Sequence, residues 1–425
     1  MINMRCRAIS PKAAEFSALQ VQKGAAMKKA GINLIEVKER NRALLLQSVC
    51  TAGSITRSEL SEGLHLSPMT VTNITSELLQ KSTSSRNLRR KTPSSRPGAR
   101  RCCCASAPRR RWCWAFTSPA RVCTAWCAIC RFSFWRAPSA RSPRIENEES
   151  FLQKLRELAE QLTEHTERPI LGMGISTVGV ISSDASGIAY VTDFFGIRSL
   201  NLRDALQPYF RFPIIVCNDM HASGLCELYF GAGKDADSFL YMGITEGLGA
   251  ALVSHHELLD ACGELGHTSI DFGGPRCTCG SRGCLELYAS APAILSLIHD
   301  ECGVELDSME QAAGFAMTNK AAYTVFYNAM RQLSFGLNNY LNLVNVPLVV
   351  LGHDAAFFAG GVRAVSGAVG GRYQRLCTPA AAAPRFVKSR FGANSPIYGS
   401  ACAVLQPLFQ GSNLIERLFD CAQQE

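Results

Sequence analysis

No run of about 18 consecutive apolar residues occurs in this 425-residue chain, so no transmembrane helix is expected. The opening stretch, MINMRCRAISPKAAEF, lacks the apolar core of a secretion signal, and Met27 offers a second possible start. The nineteen cysteines are either crowded into one segment or scattered, which speaks against a disulfide framework and for a reducing, cytoplasmic setting. With 47% hydrophobic residues, a chain of this length has room for two or three domains with proper cores.

Acidic side chains are absent from residues 82–145, which carry fifteen Lys and Arg. The net charge of +9 is therefore local: the other 29 basic residues face 35 acidic ones, a balance of −6. The same segment holds seven of the nineteen cysteines and all four tryptophans, Trp112, Trp114, Trp126 and Trp135. It has no helical or strand periodicity, so no regular element is expected there.

The most informative stretch is GELGHTSIDFGGPRCTCGSRGCLE, residues 263–286. His267, Cys277, Cys279 and Cys284 supply one imidazole and three thiolates, a complete tetrahedral set for a structural zinc with no position left for water. Gly280 and Gly283 permit the positive-φ turns that wrap a chain around a small ion. That glycine placement disfavours the alternative of four unrelated residues in a cysteine-rich chain. A closed zinc does no hydrolysis, so the metal is expected to hold a loop still while the flanking carboxylates, Glu264 and Glu286, bind something. A ligating His commonly gives its second ring nitrogen a hydrogen-bond partner, which in a sugar site could be a ligand hydroxyl.

This stretch resembles the signature of the ROK proteins (repressors, sugar kinases and related open reading frames), GE-x-GH followed by C-x-CG-x-x-GCLE. The resemblance implies that Glu264, His267 and Glu286 contact sugar hydroxyls. It also implies an actin-like (ribonuclease-H-like) fold, two α/β lobes with a cleft between them, and it covers about 39–81 and 146–425.

Residues 39–81 read as three helices. The first runs from about Asn41 to Thr51, with Leu44, Leu45 and Val49 on one face. The second follows Thr56, whose N-cap position and Glu59 three residues on make a capping box; Leu60 and Leu64 form its buried side and Gly63 ends it. The third starts at Ser67 with Pro68 in its first turn. Val71, Ile74 and Leu78 share its core stripe, leaving Met69, Thr70, Thr72 and Asn73 outside near the N-terminal end, where a recognition helix meets base edges. Ser67, Pro68, Met69, Thr70, Thr72 and Asn73 are the candidate DNA contacts; a helical hairpin for protein contacts is the alternative. The pattern ITRSEL…LSPMTVTNI resembles the winged helix-turn-helix of ROK repressors, a domain that the kinases of the family lack.

With that resemblance in view, residues 82–145 look translated out of register. Taking the last base of each codon with the first two of the next, SSRNLRRKTPSS can become IEESEAKDPII, RPGARRCCCA can become SGRPxLLLR, and WCWAFTSPARVCTAW can become VLGVHITRTGVHGV. These resemble a ROK repressor's wing, its GRP-x-LL segment and its first strand, and the native frame returns near Arg144–Ile145. A basic, Trp-rich nucleic-acid-binding insert is the competing reading. As written, the wing and the first strand are expected to be missing, the D-x-G-G-T phosphate loop of a kinase is absent, and poor folding is expected.

Downstream, Glu148 to Glu164 reads as an amphipathic helix, PILGMGISTVGVI as two strands about a glycine turn, and FPIIVCND as a strand ending in Asn218–Asp219, where α/β proteins place ligands. By resemblance Asn218 and Asp219 bind the sugar, with Asp219 a vestige of the kinase base and no catalytic residue remaining. SFLYMGITEGLGAALV reads as a hairpin with Gly243, Gly247 and Gly249 at its turn. It resembles the family's second phosphate segment, with Glu246 where a carboxylate would repel phosphates. His255 and His256 are expected to face solvent.

The expected architecture is α/β: a tail over 1–38, a small all-α winged helix-turn-helix over 39–81 with its wing missing, the aberrant segment 82–145, and a two-lobed actin-like ROK domain over 146–425 with one structural zinc. The expected function is a sugar-responsive, DNA-binding regulator, a repressor of carbohydrate-metabolism genes. Operator DNA, a sugar or sugar phosphate, and a homodimer or homotetramer are its expected partners, with no membrane. The alternatives are an ATP-dependent sugar kinase and a non-functional frameshifted product.

Overall fold

The computed structural model describes residues 34–52, 55–83, 101–102, 112–117, 124–129, 134–136, 145, 147–164, 170–191, 194–259, 263–355 and 384–411. Three helices lead. α1 (Leu34–Ala52) begins seven residues before the expected Asn41, inside the stretch assigned to a tail. β1 (Ile55–Thr56) ends in the N-cap of α2 (Arg57–Gly63). The Thr56 hydroxyl accepts from the Glu59 N–H at 3.2 Å and the Thr56 N–H donates to Glu59 Oε2 at 2.6 Å, the predicted capping box. α2 ends at Gly63, but the left-handed step of the turn falls on His65, at φ 52°. α3 (Pro68–Thr83) follows, with the Ser67 hydroxyl accepting from the Thr70 N–H at 3.1 Å. Leu45, Val49, Leu60, Val71 and Ile74 form the shared core, with Leu64 and Leu78 against it.

The segment 82–145 departs from expectation. β2 (Arg101–Cys102) pairs antiparallel with β1, a short ribbon beside the helices where no wing was expected. β3 (Trp112–Thr117), β4 (Thr124–Ile129) and β5 (Phe134–Arg136) form an antiparallel meander in a segment without strand periodicity. The reason is tertiary: β3 pairs in parallel with a strand further on, and a neighbour's free edge imposes strand pairing where local pattern does not.

α4 (Glu148–Glu164) matches its predicted bounds and buries Phe151, Leu155, Leu158 and Leu162. β6 (Ile170–Thr177) is that further strand. After the left-handed Gly179 come the two-stranded ribbon of β7 (Val180–Ile181) and β8 (Ile188–Tyr190), the short α5 (Leu202–Leu206), and β9 (Ile214–Asn218). β6 pairs in parallel with β9, which completes a sheet of order β5-β4-β3-β6-β9.

α6 (Asp219–Phe230) leads into the second lobe. β10 (Phe239–Ile244), β11 (Leu248–Ser254) and β12 (Glu257–Leu258) form its meander. His255 and His256 make the β11–β12 turn in left-handed conformation, exposed as predicted. Next come α7 (Glu286–Ala289), α8 (Ala291–Cys302), α9 (Met309–Ala316) and α10 (Lys320–Leu343). β13 (Leu348–His353) and β14 (Arg385–Lys388) add in parallel to β10, giving the order β12-β11-β10-β13-β14. Both sheets thus have one topology: an antiparallel meander of three strands extended by two parallel ones. α11 (Ser395–Phe409) closes the described chain. All but Ala355 of the AAFFAGGVRAV stretch and most of the Ala-rich TPAAAAPRF region lie outside the described residues.

α6 and α11 form the layer between the sheets. α11 lies on β6, where a Cβ on Gly174 would collide with the Ser400 carbonyl, and α6 lies on β11, where a Cβ on Gly224 would stand 3.0 Å from the Ala251 Cβ. The two helices press together over a core that includes Leu225, Tyr229, Ala401, Cys402, Leu405 and Phe409. Among the described residues no helix is long and apolar enough to cross a membrane.

Candidate metal centre and the carboxylates around it

The four predicted ligands converge. One ligand atom from each of His267, Cys277, Cys279 and Cys284 lies within 4.8 Å of every other. Cys279 Sγ and Cys284 Sγ are 3.6 Å apart, and Cys277 Sγ is 3.6 Å from His267 Nδ1. Metal–sulfur bonds of about 2.3 Å in a tetrahedron place two sulfurs roughly 3.8 Å apart, so the set fits one four-coordinate ion. Local sequence brings this about. Gly280 and Gly283 take φ of 93° and 62°, and the Gly280 N–H returns to the Cys277 carbonyl at 3.0 Å, folding the knuckle on itself. Gly283 is required twice over, since a Cβ there would collide with the Asp271 carbonyl.

Burial pushes the Cys277 thiol up to about 12 and the Cys284 thiol upward too, while the Ser281 N–H lowers Cys279. A divalent cation reverses the penalty, because it holds thiolates directly.

His267 links the metal set to the carboxylates. Its Nδ1 is 3.1 Å from Glu286 Oε1, and its Nε2 points the other way, 3.8 Å from Glu264 Oε2. The Glu286 hydrogen bond raises the imidazole to about 9. Burial works to raise Glu286, but its bonds from His267 and Cys277 outweigh this and leave its pKa below the ordinary value. An ion held by His267 through Nδ1 would leave the ring proton on Nε2, on the side of Glu264, and would free Glu286 from its contact with Nδ1.

Asp219 opens α6 at the carboxyl end of β9, as read from the sequence. It is half-buried, yet protein crowds its carboxylate; burial, with the charge of Glu264, pushes its pKa up to about 6 against the pull of the Met220 N–H. Asn218 stands beside Asp219 and also caps the helix. Its Oδ1 caps α6, accepting from the Met220 and His221 N–H groups at 2.9 and 3.2 Å, and its Nδ2 donates to the Gly179 carbonyl at 3.1 Å. It fixes the helix start that aims Asp219.

Gly243 and Gly249 were expected at the hairpin turn, but they face each other inside the paired strands. A Cβ on either would stand 2.6 Å from Met220, at Sδ and Cγ respectively. The glycines therefore make the slot that seats the first turn of α6, beside Asp219. Gly247 does lie in the turn, where a Cβ would be 3.5 Å from Glu286 Oε2. Sequence reasoning missed His353 and Asp354, which end β13 on the same side. His353 is left-handed at φ 50°, and burial lowers its pKa to about 4. Asp354 is raised by burial and by the charge of Glu246. Nothing local in LGHDAA signals either role, because both depend on β10 lying alongside.

On α3, Ser67, Pro68, Met69 and Asn73 are exposed, Met69 at 69%. Thr70 and Thr72 are half-buried; the Thr70 hydroxyl pairs with that of Ser67 at 2.9 Å, and the Thr72 hydroxyl donates to the Pro68 carbonyl at 2.8 Å.

Two lobes of matched topology, with a group of carboxylates and a His/Cys cluster beside it, define a two-lobed α/β protein. The chain belongs to the ROK family, whose profile matches residues 135–406. It is 32% identical over 209 residues to the putative xylose repressor of Caldicellulosiruptor sp. (strain Rt8B.4), covering 45% of this chain and 52% of that one. It is 30% identical over 203 residues to the glucokinase of Halalkalibacterium halodurans, covering 43% and 61%. The chain thus spans about half the length of the curated relatives it matches. A crystal structure of a ROK family transcriptional regulator, a homologue of the Escherichia coli MLC protein, superposes with a TM-score of 0.71 at 21% identity, over 91% of this chain and all of that one. That likeness establishes the shared ROK fold, with an N-terminal helical segment before the two lobes.

Proposed function

We propose that this chain is a sugar-responsive, DNA-binding transcriptional regulator, a cytoplasmic repressor of carbohydrate-metabolism genes. The observation that carries the reading is the joining, in one chain, of the compact α1–α3 unit to a domain in which Glu264 and Glu286 flank His267 and the charge of Glu264 reaches Asp219. In this reading α1–α3 is a helix-turn-helix. Ser67, Pro68, Met69, Thr70, Thr72 and Asn73 meet operator DNA, with Asn73 suited to an adenine edge and the Thr70 and Thr72 methyls to a thymine methyl. Asp219, Glu264 and Glu286 accept hydrogen bonds from sugar hydroxyls, and His267 donates one through Nε2. Asn218 holds the α6 terminus and thereby Asp219. Zinc on His267, Cys277, Cys279 and Cys284 fixes the loop that carries three of these groups. Two-fold operators call for a homodimer or homotetramer. The repressor names among the relatives support this reading.

The second reading, a sugar kinase, is favoured by the glucokinase match but opposed by Glu246 and Asp354. The two carboxylates lie close enough for the charge of Glu246 to raise Asp354, and a phosphate placed beside them would be repelled. Residues 82–145 are taken as an out-of-register stretch; the family match, which begins at 135, supports this for the part before that residue. The test is selection of DNA from a random pool by the full chain, followed by binding with and without sugars. Recovery of a two-fold site whose affinity a sugar changes is the expected result; turnover of ATP and a hexose at ordinary enzyme rates would favour the kinase.

A further inference from the structure

α1 carries two apolar faces. Leu45 and Val49 turn inward to α2 and α3. Ala43, Leu46 and Cys50, spaced i, i+3, i+7, face the C-terminal end of α11. Leu46 and Cys50 pack against the cluster that holds Leu405, Leu408 and Phe409, and a Cβ on Gly411 would stand 3.7 Å from the Ala43 Cβ. A helical unit carried on a loose tether needs only the first face. The second makes α1 a shared element of the helical unit and the ligand domain.

α11 leads on to α6, the helix that begins with Asp219. Its backbone touches that of α6, since a Cβ on Gly399 would collide with the Ala222 carbonyl, one turn from Asp219. At the other end the rings of Tyr229 and Phe409 meet edge to face, centroids 5.0 Å apart at 74°. α6 is seated on the second sheet through Met220 and Gly224, and α11 on the first through Ser400 and Val404. The lobes cannot rotate against each other without shearing α6 over α11, and close-packed helices move between discrete arrangements rather than deforming.

Resting on the regulator reading above, we propose that α11 is the element coupling sugar to DNA. Closure of the lobes on a sugar at Asp219, Glu264 and Glu286 shears α11 across α6 about the Gly399–Ala222 contact. α1, seated on α11 through Ala43, Leu46 and Cys50, turns α3 with it. Both ligands then bias one two-state element, which is the physical requirement for coupling at a distance.

The test uses the full chain, the DNA site it selects from a random pool, and D-xylose, D-glucose and N-acetyl-D-glucosamine as probes. The quantity is the ratio of DNA Kd with and without saturating sugar, typically about 5–150-fold where two sites are coupled. The variants are Leu46→Ala with Cys50→Ala, at the α1–α11 contact, and Phe409→Leu, at the α6–α11 contact. Both leave the cleft and the outward face of α3 intact. The ratio is expected to collapse below about 3-fold in each, with sugar affinity measured without DNA unchanged. A variant pair that keeps the wild-type ratio overturns the coupling role of α11 and leaves the regulator reading standing. Wild-type protein whose DNA affinity no sugar alters overturns both.

Discussion

Cys279 Sγ and Cys284 Sγ stand 3.6 Å apart, too far for a disulfide and close to the edge of a zinc tetrahedron. The purified protein is therefore expected to carry one zinc per chain by elemental analysis. Cys279→Ser is expected to weaken zinc binding by more than the roughly 10–100-fold that loss of an outer-shell partner costs. Chelation is expected to lower the melting temperature of the wild type and not of the variant.

The carboxyl of Asp219 gives a pH-dependent signature. Its folded pKa of about 6 lies above the ordinary 3.8, so between these values the folded state binds more protons than the unfolded one, and stability falls as pH rises. The cost is absent below about pH 4 and complete above about pH 6. Asp219→Asn removes it, so the variant is expected to be more stable than wild type at pH 7 by up to about 3 kcal/mol, with the gap closing towards pH 4. The same variant is expected to lose about 10–100-fold in sugar affinity, the worth of a hydrogen bond to a charged acceptor. Urea melts across pH with parallel calorimetric titrations check both; a gap that does not vary with pH contradicts the assignment.

The two faces of α3 are expected to separate by readout. Asn73 is exposed, so Asn73→Ala is expected to leave the melt unchanged while weakening DNA binding by about 1–3 kcal/mol. Val71 is fully buried, so Val71→Ala is expected to destabilise the helical unit, as truncation of a core side chain does. Thr56→Ala is expected to cost about 1 kcal/mol through loss of the capping box. Circular dichroism melts and fluorescence anisotropy with labelled DNA distinguish these effects.

What could be read from the sequence was local. The Thr56–Glu59 box, the Glu148–Glu164 helix and the Cys277–Cys284 knuckle each lie within a few turns of chain, and their residue spacing specifies them. The rest depends on partners distant in sequence. Gly243 and Gly249 look like turn glycines until Met220 is seated between them. The second face of α1 becomes a face only when α11 lies against it. That Asn218 also caps α6 follows from the strand-to-helix junction rather than from the Asn–Asp pair alone. β3, β4 and β5 had no periodicity to betray them: β3 pairs with the edge of β6, β4 with β3 and β5 with β4.

Residues 82–145 carry a prediction of their own. Sequencing the gene is expected to reveal a shift of frame near each end of the stretch. A restored-frame protein is expected to melt more cooperatively than the chain as written, followed by circular dichroism. An uninterrupted frame, with peptides spanning 82–145 found by mass spectrometry in the isolated protein, contradicts this reading.

The central claim is that the carboxylates beside the metal knuckle receive a carbohydrate. A thermal-shift series against neutral sugars and their phosphates tests it most directly, run on wild type and on Glu286→Gln. A ligand at about 100 times its Kd stabilises by about 2.7 kcal/mol. The account predicts a rise of several degrees with one sugar or a few related ones, lost in the variant. No shift with any sugar, or an equal shift in both proteins, would contradict it.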